Sequence, residues 1–165
     1  MPARPATIDA LNARFAGLLS TEFRGETRVV TTQANQYEVL ESLHRSGFDF
    51  LSDITAVDLL NIRDATDRFQ VVYQLVNYGA NERLTVLVML NEPNLSVRSV
   101  VSLWSGADWL EREVWDMFGI RFAGHPDHRR ILLPEEFVAH PLRKDYPLQG
   151  RGERHNFHRL ERAEG

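Results

Sequence analysis

Apolar positions recur along the chain with two periods, and the changes between them predict the order of the elements. Ile8, Leu11, Phe15 and Leu18–Leu19 repeat at helical spacing, with Thr7 placed to cap the helix. Arg28 to Thr32 reads as a short strand. Tyr37, Leu40 and Leu43 predict a second helix, and Gly47 lies just past its end, where a left-handed residue is wanted. Phe48, Phe50, Ser52 and Ile54 then alternate with Asp49, Leu51 and Asp53, predicting a strand that runs toward Leu60. Phe69, Val71, Tyr73 and Leu75 alternate in the next strand. Leu84, Val86, Val88 and Leu90 do so in the one after, while Leu87 and Met89 load its other face, as in a central strand. The link Asn77 to Glu82 is short and turn-rich, so these two strands are expected to form a hairpin, and Pro93 closes the sheet region. This order amounts to an α+β fold: a two-layer domain with a small mixed sheet and helices on one face.

A last helix is expected over 106–118. Ser105 with Asp108 resembles a capping box, and Gly119 followed by Ile120 fits a Schellman stop. Ala107, Leu110, Val114, Met117 and Phe118 share one face and should meet the core, with Asp108, Arg112 and Asp116 in a polar stripe on the other side. Trp109 projects from the polar side, where a large aromatic needs cover. Glu111 falls at the edge of the apolar stripe, with Trp115 flanking it. Two readings of Glu111 stay open: its stem packs while its head meets water, or it pairs with Arg129 or Arg130 of the following loop.

The residues after 118 follow neither period. Four of the seven prolines lie between 126 and 147, and two His-Pro pairs, His125-Pro126 and His140-Pro141, each precede a basic pair, Arg129-Arg130 and Arg143-Lys144. Proline removes donors and forces extended geometry. Ile131, Leu132, Leu133, Phe137, Leu142, Tyr146 and Leu148 make the stretch too apolar for a free linker. The expectation is therefore an α+β domain, 1–118, followed by an extended proline-rich docking arm and charged tail, 119–165.

Charge and composition narrow the chemistry. Residues 1–120 carry 10 Arg against 16 acids, whereas 121–165 carry 9 Lys+Arg against 7 acids. The whole chain has a net charge of -4, and its tail mixes Glu153, Glu161 and Glu164 with arginines, which argues against nucleic acid as a partner. No cysteine is present, which excludes disulfides, a thiol nucleophile and thiolate-held clusters on this chain. The N-terminal stretch has no apolar run of signal-peptide length, and Val86 to Leu90 is the longest unbroken apolar run. Membrane contact is expected only through a partner.

The run Glu111-Arg112-Glu113-Val114-Trp115-Asp116-Met117-Phe118-Gly119-Ile120, then Phe122, Gly124-His125-Pro126-Asp127 and Arg129-Arg130-Ile131-Leu132, resembles the signature of the C subunit of proton-translocating NADH:quinone oxidoreductase, respiratory complex I. His140-Pro141-Leu142-Arg143-Lys144-Asp145-Tyr146-Pro147-Leu148 with Gly150 is similar to that family's second block, and the likeness spans roughly residues 30–150. His128 replaces the family's usual leucine and Ala139 a common glycine. The resemblance implies a structural component of the peripheral arm, on the cytoplasmic (or matrix) side of the inner membrane, packed against the D and B subunits near the quinone site. It implies no cofactor in this chain, the FMN and iron–sulfur clusters lying in partner subunits, and no catalysis by the isolated chain.

Within that reading, Trp109, Glu111, Arg112, Glu113, Asp116, His125, Arg129, Arg130, His140, Arg143, Lys144 and Asp145 are the candidates for partner contact or arm anchoring. No residue is assigned a catalytic, cofactor or metal role. The alternatives are an equivalent subunit of a related membrane-bound hydrogenase or other dehydrogenase complex, and a stand-alone metal-dependent hydrolase. The hydrolase would draw on Glu113, Asp116, His125 and His128, with His155 and His158 repeating the spacing. Pro126 keeps that first histidine pair off a regular helix, and no His-Glu-x-x-His motif is present.

Overall fold

In the computed structural model, which describes residues 2–156, the elements run α1 (Pro5–Arg14), β1 (Leu19–Phe23), β2 (Glu26–Thr31), α2 (Gln36–Arg45), β3 (Phe50–Asp58), β4 (Phe69–Asn77), β5 (Glu82–Leu90), β6 (Ser96–Arg98), α3 (Ala107–Phe118) and β7 (Arg121–Ala123), followed by a 3-10 turn at Glu153–Asn156. The first five strands form one sheet in the order β1-β2-β5-β4-β3, and β6 pairs with β7 in a second, parallel one. β5 is antiparallel to β4 and parallel to β2, so the sheet is mixed and β5 is central, as its two loaded faces required. The expected hairpin joins β4 to β5. Register aligns Val29, Val86, Tyr73 and Ile54 across the sheet. These four are buried with Val39, Leu40 and Leu43 of α2 and Val114, Met117 and Phe118 of α3 in a single core. Gly47, at φ +100°, ends α2 as expected: Phe48 N–H reaches back to Leu43 O and Gly47 N–H to His44 O.

The first third of the chain departs from the pattern. α1 stops at Arg14, with Arg4 at its N-cap and no side-chain cap. Thr7 lies inside the helix, and its hydroxyl donates instead to Glu82 Oε2 at 3.0 Å. Leu19 opens β1, whose residues are all exposed, so there was no alternation to read. The Arg24-Gly25 turn, positive in φ at both residues, closes the β1–β2 hairpin. In β3 the register shifts between Leu51 and Asp53. That bulge turns Leu51 toward the core and leaves Phe50 44% exposed, while Ile54, Ala56 and Asp58 face inward, so the predicted alternation holds only after the bulge.

The junction expected between 118 and 119 falls inside the core: Ile120 and Phe122 are buried, and β7 pairs with β6. Gln36 fixes β6 from its other side. Its fully buried amide donates to Arg98 O (3.1 Å) and Tyr73 Oη (3.2 Å) and accepts from Arg98 N–H (3.2 Å), doing for β6 what a neighbouring strand would. Gln36→Leu leaves the Arg98 N–H and C=O and the buried Tyr73 hydroxyl without this partner, which costs about 2 kcal/mol. The expected result is a melting temperature lower by about 4–8 °C, measured by circular dichroism on the full chain.

Candidate functional site

Asp116 gathers the chain around α3. Its side chain is fully buried, because residues 129–133 fold back over the helix face that carries it. Oδ2 accepts three consecutive amides, Ile131 (3.1 Å), Leu132 (2.9 Å) and Leu133 (3.0 Å), an anion nest made of backbone. Oδ1 takes the guanidinium of Arg130, which also donates to Ala139 O and lies over the rings of Trp115 and Phe137. Burial pushes the Asp116 carboxyl upward, but the three amides and Arg130 outweigh it and hold the group below its ordinary value. Arg112, one turn earlier, is buried beside it and donates to the carbonyls of Arg129 (3.1 Å) and Arg130 (3.0 Å), with Asp127 3.8 Å away.

The C-terminal end of α3 is closed by the same segment. Gly119, at φ +77°, turns the chain with a single bond from its N–H to Trp115 O, so the simpler left-handed stop replaces the expected Schellman pattern. The carbonyls of residues 116, 117 and 118 then find donors in the second His-Pro block. His140 Nδ1 bonds Asp116 O (3.0 Å), Leu142 N–H bonds Met117 O (3.1 Å) and Arg143 Nε bonds Phe118 O (2.6 Å). Burial holds His140 below its ordinary value, which suits a neutral ring donating from Nδ1. Only glycine fits at 119, since a Cβ there would lie 2.6 Å from the His140 ring.

A second knot holds the block's far end. Lys144 N–H donates to Asp58 Oδ2 (2.8 Å), Arg68 bridges Asp58 (3.5 Å), Asp145 (2.6 Å) and Glu92 (3.3 Å), and Arg143 reaches Glu92 (3.0 Å). Arg68 and Glu92 carried no sequence signal. They lie 77 and 51 residues from Asp145 and Arg143, the residues of the second block that they bind, and no local pattern marks them.

The candidate residues therefore divide by direction. Glu111, Arg112, Asp116, His125, Arg130, His140 and Arg143 turn toward the body of the chain. Trp109, Glu113, Arg129 and Lys144 are exposed, and Asp145 is half-exposed on its ion pair with Arg68. Both readings of Glu111 are corrected. Arg130 pairs with Asp116 and Arg129 with Asp127, while the Glu111 side chain is fully buried rather than headed into water. The stripe of Asp108, Arg112 and Asp116 is no solvent face, because the residues after β7 cover it. The capping box is absent as well: Gly106 is the N-cap and no side chain caps it. His125 and His128 meet as rings 5.7 Å apart, and among the described residues no group of three His, Asp or Glu is arranged to hold a metal. His158, Glu161, Arg162 and Glu164 lie outside the described residues.

Asp116→Ala strands Arg130 and three amides, a loss of about 3–5 kcal/mol, and Gly119→Ala drives the His140 ring off the helix end. Both should raise hydrogen exchange at Leu142 and Leu133 while leaving Val86 protected. In the wild-type chain the Asp116 contribution is full above the ordinary carboxylate value and is lost as pH falls through the lowered one. Acid should therefore release this segment before it unfolds the sheet.

Residues 29–152 match the family described as the respiratory-chain NADH dehydrogenase 30 kDa subunit. The chain is 47% identical over 143 residues to the C subunit of NADH-quinone oxidoreductase from Citrifermentans bemidjiense, covering 85% of this chain and 87% of that one. Among solved structures it is similar to a trypsin-resistant fragment of Nqo5, at 35% identity and a TM-score of 0.69 over 74% of this chain and 96% of that one. It also shares the fold of a chain in an archaeal membrane-bound sulfane sulfur reductase complex, at 20% identity and a TM-score of 0.74 over 97% of this chain and 94% of the other. A helix wrapped by two His-Pro blocks, and a family match spanning both, give one conclusion: this chain belongs to the family of the 30 kDa, or C, subunit of respiratory NADH:quinone oxidoreductase.

Proposed function

We propose that the chain works as a structural component of a proton-pumping NADH:quinone oxidoreductase, docking on the D subunit at the quinone site and on the iron–sulfur B subunit. It carries no cofactor and performs no chemistry alone; FMN and the clusters belong to its partners. It sits on the cytoplasmic side of the inner membrane and meets the bilayer only through the complex. No helix of the described residues is long and apolar enough to cross a membrane.

One observation carries the reading. The segment after β7 turns Arg130, His140 and Arg143 inward and leaves large apolar groups outward beside the exposed Arg129, Glu135, Glu136 and Lys144. Leu132 is 60% exposed, Val138 84% and Leu142 50%, and Trp109 on the neighbouring helix is 61% exposed. Apolar groups held outward by buried ion pairs form a fixed surface for another protein. The same surface would serve an equivalent place in a related membrane-bound hydrogenase or other dehydrogenase complex, and the subunits that co-purify decide between the two.

Affinity purification in mild detergent should recover the chain with FMN-containing, iron–sulfur and membrane subunits; a solitary 19.0 kDa species would overturn the proposal. Two substitutions separate anchoring from docking. Arg143→Ala should lower both the melting temperature of the isolated chain and the amount of assembled complex. Val138→Asp should leave the stability within about 0.5 kcal/mol of wild type, yet reduce assembled complex and NADH:quinone activity together. Lys144→Arg asks whether the exposed ammonium of the chain's one lysine also faces a partner.

A further inference from the structure

Beneath the outward surface lies a charged group that docking does not use. Glu111 is fully buried; Oε1 accepts Val100 N–H at 2.7 Å, and Oε2 has no hydrogen-bond partner among the described residues. Asp108, one turn earlier on α3, has its Oδ1 buried and equally unpartnered. Facing both is His125, whose side chain is fully buried, with Nε2 at 3.1 Å from Asp108 O, 3.4 Å from Asp108 Oδ1 and 3.9 Å from Glu111 Oε2. The other ring nitrogen, Nδ1, accepts Asp127 N–H at 3.0 Å and so carries no hydrogen. The imidazole therefore offers one N–H to three oxygens. One N–H cannot compensate two ionised carboxylates, and of the two only Glu111 is wholly buried, the Asp108 side chain being 32% exposed.

We propose that Glu111, facing Asp108 and His125, holds a proton on Oε2, and that losing it as pH rises leaves an uncompensated buried charge that loosens the chain after β7 from α3. The surroundings favour that proton. From the loop before α3, Ser99 and Val100 supply the polar hydrogens facing Glu111. From β4 comes the Tyr73 phenol, pushed well above its ordinary value by burial and then by the Glu111 charge. Beyond His125 stands His128, which burial holds below its ordinary value. Neither arginine nor lysine pairs with Glu111 among the described residues. Burial pushes the Glu111 carboxyl up to about 7, against the pull of Val100 N–H and Ser99 and with the Asp108 charge adding to the rise. A carboxyl raised in the folded state stabilises fully below its ordinary value and loses that contribution as pH climbs through about 7. This is the opposite sense to Asp116.

The site is internal to the chain, so it stands or falls separately from any partner. Carbon-13 NMR of the full chain labelled at glutamate carboxyls should show one carboxyl with a midpoint near 7, absent from Glu111→Gln. Hydrogen exchange at Val100, His125, Asp127 and His128, corrected for intrinsic rates, should report opening that increases by about one to two orders of magnitude from pH 5 to pH 8. In Glu111→Gln that pH dependence should be flat. The proposal is overturned if every glutamate titrates in the ordinary carboxylate range, a result read on the wild-type chain even where the variant does not fold. It is equally overturned if Glu111→Gln keeps the wild-type pH dependence.

Discussion

Everything after β7 depends on one buried carboxylate. A buried anion is costly unless its lone pairs are filled, and Asp116 fills its own with three successive amides and a guanidinium drawn from residues 130–133. That requirement dictates the path of a segment with neither helix nor strand to guide it. Once the chain has turned at the nest, His140, Leu142 and Arg143 come within reach of the α3 carbonyls, which would otherwise end in water. Arg143 and Asp145 then meet Glu92 and Arg68, so two separate knots fix one strap.

The same economy explains the outward face. With Arg130, Arg143 and His140 turned in, the outer side of the strap carries Leu132, Val138 and Leu142 among the solvated charges of Arg129, Glu135, Glu136 and Lys144. A surface built this way is rigid before any partner arrives, which lowers the entropy lost on docking. That suits the structural role proposed for this chain.

Much of the architecture was legible from periodicity, and where it was not the reasons are physical. The helical stripe of Val114, Met117 and Phe118 and the central loading of β5 are consequences of burial, which periodicity reports. β1 has no buried face and left no pattern; the β3 bulge changed the phase of a true one. The polar stripe of α3 was misread because amphipathicity assumes one neighbour for each helix, and this helix has two. Family resemblance picked out the charged residues, yet could not say that Arg130 belongs to Asp116 and not to Glu111. Pairing depends on where a proline-rich segment crosses the helix, which is a three-dimensional fact. Arg68 and Glu92, far from both blocks in sequence, were invisible for the same reason.

The central claim is that a strap pinned by Asp116 presents its apolar side to another protein of the assembly. A photo-crosslinking residue placed at position 138 of the chain, expressed in its own host, tests it most directly. The account predicts an adduct with a second subunit of the oxidoreductase, lost when Asp116→Ala releases the strap. Crosslinks that stay within the chain, or an adduct unaffected by Asp116→Ala, would contradict it.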